Sequence, residues 1–250
     1  MREETLTSAD GLKIFYRSWQ PPADPRAVVV INHGVNSHGG QYVWPAEQLA
    51  ATGFAVHAID MRGRGRSEGK RFSIDDVAEY TGDLHQLITL AKERHPGLPL
   101  FLLGHSAGGV VSCTYALDRQ SELAGLICES FAYRVPAPGP VLAIIKLLGR
   151  ILPGLPVLKL KNEDFSRDPA AVDALNADPL TKGEIQPARS SAATVRAGWI
   201  SPLVASHCRC LSCTGRPTRR QCPPAASSFT TMLAQTTRRS SSMKAISMTC

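Results

Sequence analysis

The chain has 250 residues, 43% of them hydrophobic, and a formal net charge of +7, a size at which an α/β protein buries one large core as a single domain. The charge is local: residues 185–250 carry nine Lys or Arg and no Asp or Glu, so residues 1–184, with 19 basic and 21 acidic side chains, form a near-neutral body that gives no reason to expect a nucleic-acid-binding surface. The start is polar and acidic rather than leader-like, and no uncharged apolar run approaches the roughly 18 residues of a membrane span, so a soluble cytoplasmic protein is expected.

In chain order, residues 5–19 alternate Leu12, Ile14 and Tyr16 with polar neighbours beyond the turn-forming pair Asp10-Gly11, and predict an edge hairpin. Residues 27–31, 55–59, 98–103 and 124–128 are compact apolar runs, the composition of a parallel strand covered on both faces. Val77, Tyr80, Leu84, Leu87, Ile88 and Ala91 recur at spacings of three and four. They predict a helix opened by Ser73, with Asp76 three residues on, and closed by Pro96-Gly97.

Strand and helix alternate, so the expected fold class is α/β, a mostly parallel sheet with helices on both faces. Residues 136–182 break the rhythm with prolines at 136, 138, 140, 153 and 156 and an apolar run at 141–152 interrupted by Lys146 and Arg150. We read an inserted helical cap, with an ordinary core helix as the alternative that periodicity leaves open. The expected division is core 1–135, cap 136–183, return to core 184–205 and an aberrant Cys-, Arg- and Ser-rich tail at 206–250.

Gly104-His105-Ser106-Ala107-Gly108 fits Gly-x-Ser-x-Gly and stands between an apolar strand and the helix-compatible run 110–117, which is the context that gives this motif its chemistry. A sharp turn there lifts the Ser106 hydroxyl above the sheet, Gly104 and Gly108 leave room for neighbouring backbone, and the helix N-terminus favours developing negative charge. The oxyanion donors expected are the amides of Ala107, which follows the serine, and Val35, in Asn32-His33-Gly34-Val35 after an earlier strand. His33 and Gly34 support that loop, and His105 supports the elbow. The Gly-rich stretch 60–67 lacks the Gly-Lys-Ser/Thr of a phosphate loop and follows the wrong strand for a dinucleotide fingerprint, so it is read as structural.

His33-Gly34, the 60–67 loop, Gly104 to Gly109 and the proline-bounded cap together resemble the monoacylglycerol lipase and lysophospholipase family of α/β-hydrolases, which is serine-aminopeptidase-like, over residues 5–197. Residues 162–169 and 178–180 are similar to that family's cap-to-core segment. The resemblance implies a carboxylic ester hydrolase for single-chain lipids with Ser106 as nucleophile. It implies no metal or organic cofactor, an apolar cap that receives an acyl chain, and at most a weak contact of that cap with a lipid surface.

The pattern fails after residue 184. An acid and then a histidine should follow the serine, yet no carboxylate lies beyond Glu184, and the one later histidine, His207, sits in Ser206-His207-Cys208-Arg209-Cys210 without a strand before it. A shifted reading frame accounts for this. Joining the third base of each codon to the first two of the next, residues 207–218 can encode Leu-Pro-Leu-Leu-Val-Leu-His-Gly-Thr-Ala-Asp. Residues 237–250 can encode Lys-Thr-Leu-Lys-Leu-Tyr-Glu-Gly-His-Phe-His-Asp-Leu. Met243-Lys244 must give Glu and Met248-Thr249 must give Asp, and both forced letters agree; the shift is expected between about Ser190 and Ser206.

The rival tail readings are weaker. Cys208, Cys210, Cys213 and Cys222 do not form a standard zinc ligand set, and no aromatic platform accompanies the arginines for RNA. Nothing supports disulfides, and Cys113 and Cys128 are expected to be buried. A protein of another class, an acyl-binding homologue without catalysis, is the alternative function.

Overall fold

The opening residues pair as an antiparallel hairpin, β1 (Arg2–Thr7) with β2 (Lys13–Trp19), around Gly11 at φ 87°. The structure, a computed structural model, describes residues 1–130, 139–158, 161–164, 166–181, 186–187 and 191. The expected return to core at 184–205, apart from those few positions, and the tail at 206–250 with His207 lie outside the described residues.

Strands β3 (Ala27–Asn32), β4 (Phe54–Ile59), β5 (Leu100–His105) and β6 (Gly125–Glu129) complete a sheet of order β1-β2-β4-β3-β5-β6. Pairing is antiparallel from β1 to β4 and parallel from β4 to β6. Side chains alternate across a strand, so β3 sends Val28 and Val30 to one face and Val29 and Ile31 to the other. Helices α2 (Val77–Arg94) and α3 (Ala107–Arg119) cover the first face with Leu84, Leu87, Ile88 and Val110. On the second face, α1 (Val43–Ala51) contributes Ala46 and Leu49 against Phe54 and Val56. Both faces are apolar, as the four compact runs required.

Two details differ from expectation. The cap of α2 is not Ser73 but Asp76, whose extended backbone lets its carboxylate accept from the Ala78 amide, while Glu79 reaches back to the Asp76 amide at 3.0 Å. Glu79 also ties in the hairpin, because the Arg62 guanidinium donates to Glu79, to Asp10 and twice to Asp83 at 2.7 Å. Replacing Asp76→Ala removes one cap and is expected to cost about 1 kcal/mol, read as a lowered urea midpoint with unchanged slope.

The other is α1, a helix not singled out from the sequence. Its markers are Pro45 in the first turn and Gly53 at φ 92° just past the end, an asymmetry typical of helix boundaries. The apolar run at 141–152 forms α4 (Gly139–Ile151), in which Val141, Ile144, Leu147 and Ile151 are exposed. Beyond it come the short antiparallel pair β7 (Pro156–Leu158) and β8 (Gln186–Pro187), and α5 (Pro169–Ala177), capped by Asp168. Among the described residues no helix is long and apolar enough to cross a membrane.

Candidate active site

Strand β5 ends at His105 and α3 begins at Ala107, leaving Ser106 at the turn with φ 51° and ψ −118°. Such a conformation costs a non-glycine residue of order 1–3 kcal/mol and persists only where its surroundings fix it. Here they do. The Ser106 amide donates to the Glu129 carbonyl at the end of β6, 2.9 Å away, and the Gly109 amide closes onto the Ser106 carbonyl at 3.0 Å.

Close backbone approach explains the glycines. A Cβ on Gly108 would stand 2.3 Å from the carbonyl oxygens of both Asn32 and His33, and one on Gly104 would stand 2.7 Å from Gly109 Cα. The end of β3 is therefore pressed onto the elbow, and the Asn32 side-chain amide donates to the Gly108 carbonyl at 3.3 Å. One step further along, a Cβ on Gly34 would lie 3.1 Å from His105 Nδ1 and 3.4 Å from Ser106 Cβ. The Gly34-Val35 loop thus lies against the serine.

Val35 and Ala107 line one small cavity of about 40 Å³ together with Met61, Arg64, Tyr80 and Val110. Arg64 donates to the Val35 carbonyl, which pins the loop. His33 is fully buried: its Nδ1 faces the Gly34 carbonyl at 2.8 Å and its Nε2 accepts from the Met61 amide at 3.0 Å. An imidazole that accepts at one nitrogen must be neutral, and burial holds its pKa down to about 3, the Gly34 carbonyl only partly offsetting this. His33 supports the loop by its hydrogen bonds.

His105 pairs through Nδ1 with the Tyr42 hydroxyl at 2.8 Å. Burial lowers the His105 pKa against the opposing charge of Glu129, and burial raises that of Tyr42. Tyr42 and His38 are site-side residues that sequence reading missed. His38 Nε2 meets Asp178 at 2.8 Å, tying the loop after β3 to the segment after α5. Neither belongs to a motif, and only folding brings partners 63 and 140 residues apart together.

The structure thus brings Ser106, Val35 and Ala107 together, with His33, Gly34, Gly104, His105 and Gly108 packed around them. The 60–67 loop is structural, as read. Asp60 is buried and accepts from the Gly39 amide, Arg17 and the Arg66 amide. Cys113 is buried as expected, whereas Cys128 is only half-buried, and their sulfurs lie 3.5 Å apart. Among the described residues no group of three or more His, Cys, Asp or Glu side chains could hold a metal.

A family profile described as "Serine aminopeptidase, S33" matches residues 23–199. The chain is 37% identical over 202 residues to a monoacylglycerol lipase of Mycolicibacterium smegmatis, covering 80% of this chain and 72% of that one. It is 34% identical over 178 residues to the monoglyceride lipase of Rattus norvegicus, covering 70% and 59% respectively, so it spans less than two thirds of the rat protein. The crystal structure of Paleococcus ferrophilus monoacylglycerol lipase superposes with a TM-score of 0.68 at 30% identity over 79% of this chain and 74% of that one.

Proposed function

Since the chain belongs to the serine aminopeptidase S33 family of α/β-hydrolases, we propose that it is built to cleave carboxylic esters of single-chain lipids through an acyl-enzyme at Ser106. Monoacylglycerols are the first substrate class, from the relatives' names, and lysophospholipids the second. The observation that carries the reading is the left-handed backbone of Ser106 at the strand-to-helix turn, with Gly34-Val35 packed against it.

In this reading the Ser106 hydroxyl adds to the ester carbonyl and the amides of Val35 and Ala107 receive the oxyanion. The tetrahedral intermediate collapses with loss of the alcohol, which takes a proton, and water then cleaves the acyl-serine. Both proton transfers need a base held by an acid, and the sequence after Ser106 offers only His207 and no carboxylate beyond Glu184. Losing the base costs about 10⁶ in kcat in the best-studied triad, so trace hydrolysis is expected of this chain. The apolar side chains of α4, Val141, Ile144, Leu147 and Ile151, suit a weak contact with a lipid surface.

A fluorophosphonate probe tests the assignment. Slow labelling that disappears in Ser106→Ala, with a trace of monoacylglycerol hydrolysis lost in parallel, is the expected result. Binding of a fatty acyl ligand with no labelling over days would instead establish the acyl-binding alternative, and labelling that persists in Ser106→Ala would remove Ser106 from the chemistry.

A further inference from the structure

We propose that Cys113 and Cys128 form an oxidisable dithiol, a site that a peroxide converts into a reversible disulfide joining helix α3 to strand β6. The proposal stands apart from the acyl-transfer reading, because neither thiol takes part in that chemistry.

The sequence gives no reason to pair these two residues, and the fold does. Cys113 lies on α3 seven residues after Ser106, two helical turns along the helix that the serine opens. Cys128 lies on β6 opposite Gly104 of β5, one residue before Glu129, whose carbonyl accepts from the Ser106 amide. Both side chains belong to the core between α3 and the sheet, and their sulfurs stand 3.5 Å apart, thiol against thiol. A disulfide needs a separation of about 2.05 Å. The remaining closure, about 1.5 Å, is within reach of modest rotations of two short side chains. Among the described residues no third His, Cys, Asp or Glu joins the pair to make a metal site, so thiol chemistry is what the pair can do.

The reaction balances with hydrogen peroxide as oxidant. Cys128 is the half-buried member and Cys113 the buried one. The Cys128 thiolate attacks one peroxide oxygen, the O–O bond breaks and hydroxide leaves, giving a sulfenic acid. The Cys113 thiolate attacks that sulfur, the S–S bond forms and a second hydroxide leaves. The two hydroxides take up the two thiol protons, so two thiols and one peroxide give one disulfide and two waters. A reducing thiol reverses the change by exchange. The contact with Cys113 and burial push the Cys128 pKa up. Thiolate is therefore scarce at neutral pH, and the pair answers sustained oxidant rather than a brief pulse.

The bond would tie together the two elements that hold the nucleophile, since Ser106 keeps its left-handed backbone between the first turn of α3 and the end of β6. The partners are 15 residues apart in the chain. Closing a loop of that size in the unfolded state raises the melting temperature of a chain this long by about 6–12 °C.

The test treats the full chain with hydrogen peroxide, blocks the remaining thiols and digests with trypsin, which cuts after Arg119 between the two cysteines. Mass spectrometry should find the two peptides linked and dithiothreitol should separate them. The melting temperature should rise by about 6–12 °C and return on reduction. Cys113→Ala and Cys128→Ala, which keep the tail cysteines, should each lose both the link and the rise. Links confined to the tail, sulfinic or sulfonic acid at either residue without a link, or a rise that survives in Cys128→Ala would overturn the proposal. A linked chain that melts no higher would refute the joining of α3 to β6 as a stabilising device.

Discussion

Asp60→Ala is expected to lose about 3–5 kcal/mol of folding stability, the range for breaking a buried ion pair by removing one partner. Asp60 is 0% exposed, and its carboxylate accepts from the Gly39 amide at 2.7 Å, Arg17 at 3.0 Å and the Arg66 amide at 2.9 Å. Its carbonyl also accepts from the Ser67 hydroxyl, whose oxygen accepts in turn from the Phe15 amide. Alanine leaves two backbone donors and a buried guanidinium without this acceptor, and the partly exposed Glu3, 3.6 Å from Arg17, replaces little of it. The loss reaches the site, because Gly39 closes the loop that begins at Val35. Urea unfolding should show the shift, and Asp60→Asn, which keeps the shape and one acceptor oxygen, should fall between alanine and the parent. A loss under about 1 kcal/mol for alanine would mean that the loop holds without its carboxylate.

That loop also shows what could be read from residue types. The Gly-rich stretch was legible as a structural turn because it lacked a phosphate loop's lysine, but the hub that organises it, a carboxylate joining β2, β4 and the loop after β3, was not. Local patterns carried the four parallel strands, whose two-sided burial leaves continuous apolar runs, and Ser106, whose chemistry demands glycines at fixed spacing. They failed where tertiary contact decides. Ser73 and Asp76 are equally good cap residues, and the choice fell to Asp76 because Glu79, not Asp76, stands three residues on to close the box. Helix α1 buries little more than Ala46, Leu49 and Ala50, too narrow a stripe to stand out. Tyr42 and His38 enter the site through single hydrogen bonds to distant residues, for which sequence holds no periodic signal. Cys128, in an apolar run, reads as buried but lies near the strand end, where burial falls away towards Glu129.

Lowering the pH from 7 to 4.5 is expected to remove about 5 kcal/mol of stability, before most carboxylates titrate. The source is two buried histidines. His33 must stay neutral to accept from Met61, and His57 on β4 is 0% exposed with neither ring nitrogen hydrogen-bonded among the described residues. Burial holds both pKa values at about 3; around His57 the nearby His95 and Arg94 push the same way and Glu4 opposes.

An unfolded histidine titrates near 6.5, so between 6.5 and 3 the unfolded chain binds more protons and stability rises with pH. The contribution is complete above pH 6.5 and drains as pH falls towards 3, by about 2–3 kcal/mol per histidine at pH 4.5. Carboxylates such as Glu4, held at about 2 chiefly by its hydrogen bonds from Arg94, add their loss as pH falls from about 4.5 towards 2. His57→Leu separates the two histidines, because an apolar side chain there leaves no polar atom unsatisfied. It should change stability little at pH 7 and halve the slope between pH 6.5 and 4.5. Urea midpoints measured across that range decide the matter: a flat profile in the parent, or an unchanged slope in His57→Leu, would mean that these rings find proton acceptors in the folded chain.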